Sequence, residues 1–145
     1  MNRPAEEPTE LADAPQLRFT HANRVVSGNH FNRAYREGNR ARGALMTVVV
    51  VENGLPVTRL GLSIGKRVWR GAVGRNRVRR VFREAFRVSL PQLPIGLDVV
   101  LIGSMPRIEP GLAETSAELV SLAEKAHKRY LVKQALALEA DAEAT

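Results

Sequence analysis

The chain has 145 residues, 44% hydrophobic and 26% charged, with 22 Lys and Arg against 15 Asp and Glu for a net charge of +7. That length suits one domain with a modest core, while no apolar run approaches the roughly 20 residues of a bilayer span. The acidic, proline-bearing start MNRPAEEPTELADAP is unlike a secretory signal, and the lack of cysteine excludes disulfides, thiolate zinc sites and cysteine nucleophiles, so the chain reads as soluble and cytoplasmic.

Residues 1–18 mix Pro, Glu, Ala and Thr without periodicity and read as a disordered extension. Ser27 is placed to cap a first helix that carries Phe31, Ala34 and Tyr35 on one face and stops at Gly38. A β-rich stretch, Leu45 to Val51, leads through Asn53-Gly54 into Thr58 to Ile64, where Leu60, Leu62 and Ile64 alternate with Arg59, Gly61 and Ser63. An Asn-Gly step between two such runs predicts an antiparallel hairpin. Val78, Val81, Phe82, Ala85 and Phe86 form a helical stripe that runs to about Leu90, before Pro91. Leu97 to Ile102 is a near-continuous apolar run between Gly96 and Gly103 and predicts a buried strand. A last helix opens at Thr115, with Glu118 completing a capping box, and buries Leu119, Leu122, Ala123, Ala126 and Tyr130. It frays before the Ala/Glu tail, so the main domain is expected over 19–136 with a tail at 137–145. Helices packed on a small sheet, an α/β sandwich, are the expected architecture.

The charge is unevenly spread. Residues 1–18 hold two bases against four acids, residues 19–90 fifteen against three, and residues 91–145 five against eight. Eighteen of the 22 bases are Arg, whose planar guanidinium suits bidentate contact with phosphate. The segment KRVWRGAVGRNRVRRVFREAFR, residues 66–87, concentrates nine of them (Lys66, Arg67, Arg70, Arg75, Arg77, Arg79, Arg80, Arg83 and Arg87) beside a single acid, Glu84. On a helical wheel Asn76, Arg80, Arg83 and Arg87 lie opposite the apolar stripe. A merely solvated face would alternate acids with bases in i, i+4 pairs, and here only Glu84 is available to pair. Crowding like charges is unfavourable unless a polyanion or counterions offset it, so nucleic acid is the leading partner. A basic amphipathic helix could also lie on anionic lipid, but this one needs its apolar side for a small core.

GLSIGKRV followed by RNRVRRVFREAFR, with FNRAYREG upstream and LDVVLIG downstream, resembles the protein subunit of bacterial ribonuclease P over about residues 19–133. Arg75-Asn76-Arg77 is the family's triplet; Trp69 and Gly71 in the loop before it are not part of the motif. The resemblance implies an α+β fold of order αβββαβα, with helices on a four-stranded sheet and a left-handed βαβ crossover through the arginine helix. It further implies that a catalytic RNA, with Mg²⁺ held mainly by that RNA and the substrate, removes the 5′ leader of precursor tRNA. This chain would then bind the catalytic RNA and the leader, with no membrane and no protein partner implied.

By the same resemblance Lys66, Arg67, Arg70, Arg75, Asn76, Arg77, Arg79, Arg80, Arg83 and Arg87 would contact RNA, and Phe31, Tyr35 and Ser63 would line a leader cleft. An aromatic pair at i, i+4 is equally suited to core packing, and both uses stay open here. The residues themselves point away from catalysis by this chain. A two-metal nuclease needs converging carboxylates, whereas residues 19–90 contain only Glu37, Glu52 and Glu84, dispersed in sequence. Glu114, Glu118 and Glu124 read as helix-terminal or solvated charges. His21, His30 and His127 are too scattered for a metal site or general base.

Overall fold

The computed structural model describes Arg24 and residues 28–144; the expected cap Ser27 and the extension 1–18 lie outside the described residues. Seven elements follow in the order αβββαβα: α1 (Gly28–Glu37), β1 (Asn39–Arg42), β2 (Met46–Glu52), β3 (Arg59–Ser63), α2 (Ala72–Ser89), β4 (Leu97–Gly103) and α3 (Leu112–Ala144), with a 3₁₀ turn at Leu90–Gln92 after α2. The strands form one mixed sheet in the order β1-β2-β4-β3, in which β1 pairs with β2 and β2 with β4 antiparallel, while β3 and β4 are parallel. Among the described residues no helix is long and apolar enough to cross a membrane.

The expected hairpin does not form, because β4 inserts between β2 and β3. Asn53 and Gly54 do turn the chain, with Gly54 at φ 72°, but the connection is tied to β4 and not to a tight two-strand ladder. The Asn53 N–H donates to the Gly96 carbonyl at 2.8 Å, and its side-chain amide donates to the Asp98 carboxylate at 2.9 Å. Thr58 Oγ1 donates to the Pro94 carbonyl at 2.6 Å. Across the parallel pair the Arg59 guanidinium grips buried Asp98 with two bonds of 2.7 and 2.8 Å. That hydrogen bonding holds Arg59's pKa above its ordinary value. A buried carboxylate needs such a partner, and here the partner fixes the register of β3 on β4.

One face of the sheet, with Val48, Val50, Leu60, Val99 and Leu101, packs against Val78, Phe82, Ala85 and Phe86 of α2 and Leu119, Leu122, Ala123 and Ala126 of α3. The expected stripes are thus buried, except that Val81 is only half-buried. On the other face Ala34 of α1 packs with Val49, Val51, Val100 and Tyr130.

Three helix boundaries depart from the sequence expectation. Helix α2 begins at Ala72, so Arg75-Asn76-Arg77 lies inside its first turns and does not precede it. Helix α3 begins at Leu112, one turn earlier than expected: the Gly111 N–H donates to Glu114 Oε1 at 2.9 Å, and Thr115 is buried within the first turn. Glu118 is therefore free to accept bonds from the Leu45 and Met46 N–H groups at 2.7 and 3.0 Å, which anchors the β1–β2 turn. At the other end α3 continues to Ala144 where fraying was expected from residue 137, its residues beyond 130 exposed.

Candidate nucleic-acid interface

Helix α2 has two sides with different tasks. Its apolar side seals the core, and its outer side presents exposed Asn76, Arg77, Arg80 and Arg83. Lys66, Arg67 and Arg70 are exposed on the loop that carries the chain from β3 to α2. Among the described residues none of these six cations forms an ion pair with a carboxylate.

The remaining arginines are more constrained. Arg75 turns inward and donates to the carbonyls of Trp69 and Arg70 at 3.0 and 2.6 Å, which folds the loop back on the first turn of α2. Arg77 lies over the Trp69 ring, its Cζ 5.4 Å from the ring centre, a cation–π contact that orients the guanidinium outward from the loop. Arg79 donates to Asn76 Oδ1 at 2.9 Å and to the Ile64 carbonyl at 3.2 Å, so it joins the helix to the end of β3. Arg87 pairs with Glu84 at 2.5 and 3.1 Å; this bond holds the Glu84 carboxyl below its ordinary range and raises Arg87. Of the ten RNA-contact candidates, then, Lys66, Arg67, Arg70, Asn76, Arg77, Arg80 and Arg83 face solvent, and Arg75, Arg79 and Arg87 are half-buried with partners inside the chain.

The aromatic pair lies on the opposite side of the sheet, where α1 crosses it. Phe31 is half-buried directly over Gly61 of β3: a Cβ there would come within 2.8 Å of the ring, so only glycine admits it. Tyr35, one turn on, is 37% exposed, its ring centre 6.3 Å from that of Phe31 and 5.8 Å from the Arg40 guanidinium. The two residues are therefore different in kind, Phe31 a packed wall and Tyr35 an open ring.

The register extends this surface. Ser63 is opposite Ile102, Ile102 opposite Thr47, and Thr47 opposite Arg42, so these four form a row across the sheet; Ser63, Ile102 and Thr47 are half-buried and Arg42 is exposed. Arg40, Arg42, Thr47 and Ile102 were missed from sequence. The signal was the period-two alternation Arg40-Ala41-Arg42, in which Ala41 is buried and both arginines are exposed.

Among the described residues no three His, Asp or Glu converge on one point. Among the described residues the acid within the basic helix, Glu84, is bound to Arg87, so that helix offers no converging carboxylates of the kind a Mg²⁺ ion takes.

Fold and surface define a small α+β protein with a polycationic helix and, on the other face of its sheet, a surface that carries Phe31, Tyr35, Arg40 and Arg42. A family model for ribonuclease P matches residues 19–127. The ribonuclease P protein component of Desulfotalea psychrophila is 34% identical over 96 residues, which cover 66% of this chain and 75% of that one. That of Natranaerobius thermophilus is 33% identical over 95 residues, covering 66% and 82%. In structure, the RNase P protein of Staphylococcus aureus superposes with a TM-score of 0.62 at 25% identity, covering 72% of this chain and 94% of that one. The Thermotoga maritima RNase P protein gives 0.62 at 24% identity, over 70% and 96%, a likeness of fold. The chain belongs to the ribonuclease P protein family. It is thereby a component of an endoribonuclease that processes tRNA as a ribonucleoprotein.

Proposed function

We propose that this chain is the RNA-binding subunit of ribonuclease P, holding the catalytic RNA through α2 and the 65–71 loop and the single-stranded 5′ leader of precursor tRNA on the sheet surface beside α1. One observation carries this reading: six exposed cations on one helix and its leading loop have no carboxylate partner among the described residues. Such a surface is offset by a polyanion, and displacement of counterions from that polyanion drives the association. Tyr35 and the edge of Phe31 suit a strand whose sequence varies, because every base has a face to stack. Arg40 and Arg42 beside them suit its phosphates.

In this reading the phosphodiester is hydrolysed by the RNA, with Mg²⁺ held by RNA phosphates and substrate, and the protein contributes binding and positioning. The test is cleavage of precursor tRNA in Mg²⁺ by the full-length chain, with and without the catalytic RNA. Cleavage is expected only when the RNA is present, with the protein improving its use of leader-bearing substrate. Cleavage by the protein alone would overturn the assignment in favour of a self-sufficient nuclease.

A further inference from the structure

We infer that the hollow between the 65–71 loop and the 104–109 segment is a further phosphate-binding subsite for RNA, centred on Arg107. The inference rests on the RNA-binding reading above and extends it to a segment that the basic motif does not include. Arg107 has φ 57°, the one positive φ of a residue other than glycine among the described residues. Glycine or asparagine adopts that conformation with less steric conflict, and a bulky residue kept there asks for a reason.

The surroundings supply it. The Arg107 N–H donates to the Val68 carbonyl at 2.5 Å, and Trp69 Nε1 donates to the Ile108 carbonyl at 2.8 Å, so the two segments are stitched together twice. Gly103 permits a third close approach, since a Cβ there would be 2.6 Å from Val68 Cγ2. The frame is therefore fixed before a ligand arrives, which lowers the ordering cost of binding.

An open hollow of about 590 Å³ lies between the segments, lined by Lys66, Arg67, Arg70 and Arg107 with Glu109 as the one acid. Among the described residues none of the four cations is ion-paired. Trp69 already uses its N–H on Ile108 and carries Arg77 over its ring, so what the hollow offers is charge. A small-molecule site would instead show buried polar groups that fix orientation. Four exposed cations on a rigid frame at the start of α2 suit a phosphodiester chain continuing from that helix. The left-handed turn at residue 107 thus adds a fourth cation to the lining that the loop supplies.

The experiment compares full-length wild type with Arg107→Asn, Arg107→Lys and, on α2, Arg83→Ala. Affinity for the catalytic RNA is measured across a salt series, and affinity of the reconstituted holoenzyme for precursor and mature tRNA is measured separately. Asparagine tolerates the left-handed conformation, so an unchanged unfolding midpoint is expected and the charge is tested alone. Arg107→Asn is expected to weaken binding several-fold and to reduce the slope of log affinity against log salt by about 0.7 to 0.9. Arg107→Lys is expected to keep most of the slope. Loss in the first arm assigns the phosphate to the catalytic RNA, and loss confined to the second assigns it to the substrate. Wild-type affinity and slope in both arms for Arg107→Asn, while Arg83→Ala loses both, would overturn the subsite and leave the broader reading standing. Salt-independent binding by wild type would overturn the two together.

Discussion

Replacing Tyr35 and Phe31 in turn separates leader stacking from core packing, because the structure gives the two rings different amounts of protein contact. Tyr35 is 37% exposed and belongs to neither hydrophobic cluster, so Tyr35→Leu should change stability by no more than about 0.5 kcal/mol, as for an ordinary surface substitution. Phe31 packs on the cluster of Ala34, Val49, Val51 and Val100 and over Gly61. Phe31→Leu, which keeps an apolar side chain but gives up part of the ring's volume, should therefore cost about 1 to 2 kcal/mol, a few degrees in midpoint. Binding should show the reverse ranking. A base stacked on an aromatic side chain contributes about 1 to 3 kcal/mol, so losing the open ring of Tyr35 should weaken precursor tRNA binding by roughly 5- to 150-fold. Mature tRNA, which has no leader, should bind as before. The assay is the ratio of affinities for precursor and mature tRNA in the reconstituted holoenzyme, beside thermal unfolding of each free protein. A Tyr35→Leu holoenzyme with the wild-type ratio would refute stacking at this site, whatever Phe31→Leu does.

Alanine at Arg80 or Arg83 should reduce the slope of log affinity for the catalytic RNA against log salt by about 0.7 to 0.9 each, with no change in midpoint; an unaltered slope in both would place the RNA elsewhere. Glu84→Gln should release Arg87 and strengthen RNA binding. The Glu84 carboxyl is held below its ordinary range, so its stabilising pair is complete above that range and is lost as pH falls through the lowered value. The Gln variant should accordingly match wild type in acid and differ slightly, if at all, near neutrality, because both side chains are well exposed. Glu118→Ala leaves the Leu45 and Met46 N–H groups without their acceptor and should cost roughly 2 to 4 kcal/mol in urea unfolding, with Glu118→Gln intermediate; wild-type stability in the Ala variant would mean that water replaces the carboxylate.

The elements were legible in the sequence where periodicity was strong. The stripe from Val78 to Phe86, half-buried Val81 excepted, and that from Leu119 to Tyr130 are buried in the positions their spacing requires. The parallel β3–β4 pair joined through the arginine helix is the βαβ unit that the family resemblance implies; the β2–β3 hairpin alone fails, because Asn53-Gly54 is a local signal and the competing signal is spread over the whole chain. The runs MTVVVVE and LDVVLIG are apolar at successive positions, as strands buried on both faces must be, whereas RLGLS alternates as an edge strand does. Given those patterns, β2 and β4 belong side by side in the centre and β3 outside them. Glu118 takes a role other than the expected one for a related reason: the Thr115-to-Glu118 spacing is a local capping signal, whereas the Leu45 and Met46 N–H groups that Glu118 accepts from are distant in sequence. The arginines carried their charge in the sequence but not their commitments: nothing in the spacing separates Arg75, turned onto the Trp69 and Arg70 carbonyls, from exposed Arg83.

The insertion of β4 also decides how the two candidate surfaces meet. With β3 on the outside of β4, Ser63 ends the row that runs through Ile102 and Thr47 to Arg42, and the next residue, Ile64, gives its carbonyl to Arg79 of α2. The chain then turns through Gly65 to Val68 and delivers Lys66, Arg67 and Arg70 to the start of that helix. Aromatic surface and cationic helix are thus on different faces of the sheet but adjoin at one point, the end of β3. A β2–β3 hairpin would have kept the same residues and separated them, with β2 between Ser63 and the Ile102 side of that row. Under the proposed function, a single-stranded leader and a structured RNA held by one small protein would need such adjoining surfaces, and the parallel β3–β4 pair, fixed by Arg59 and Asp98, would then position both as well as holding the sheet together.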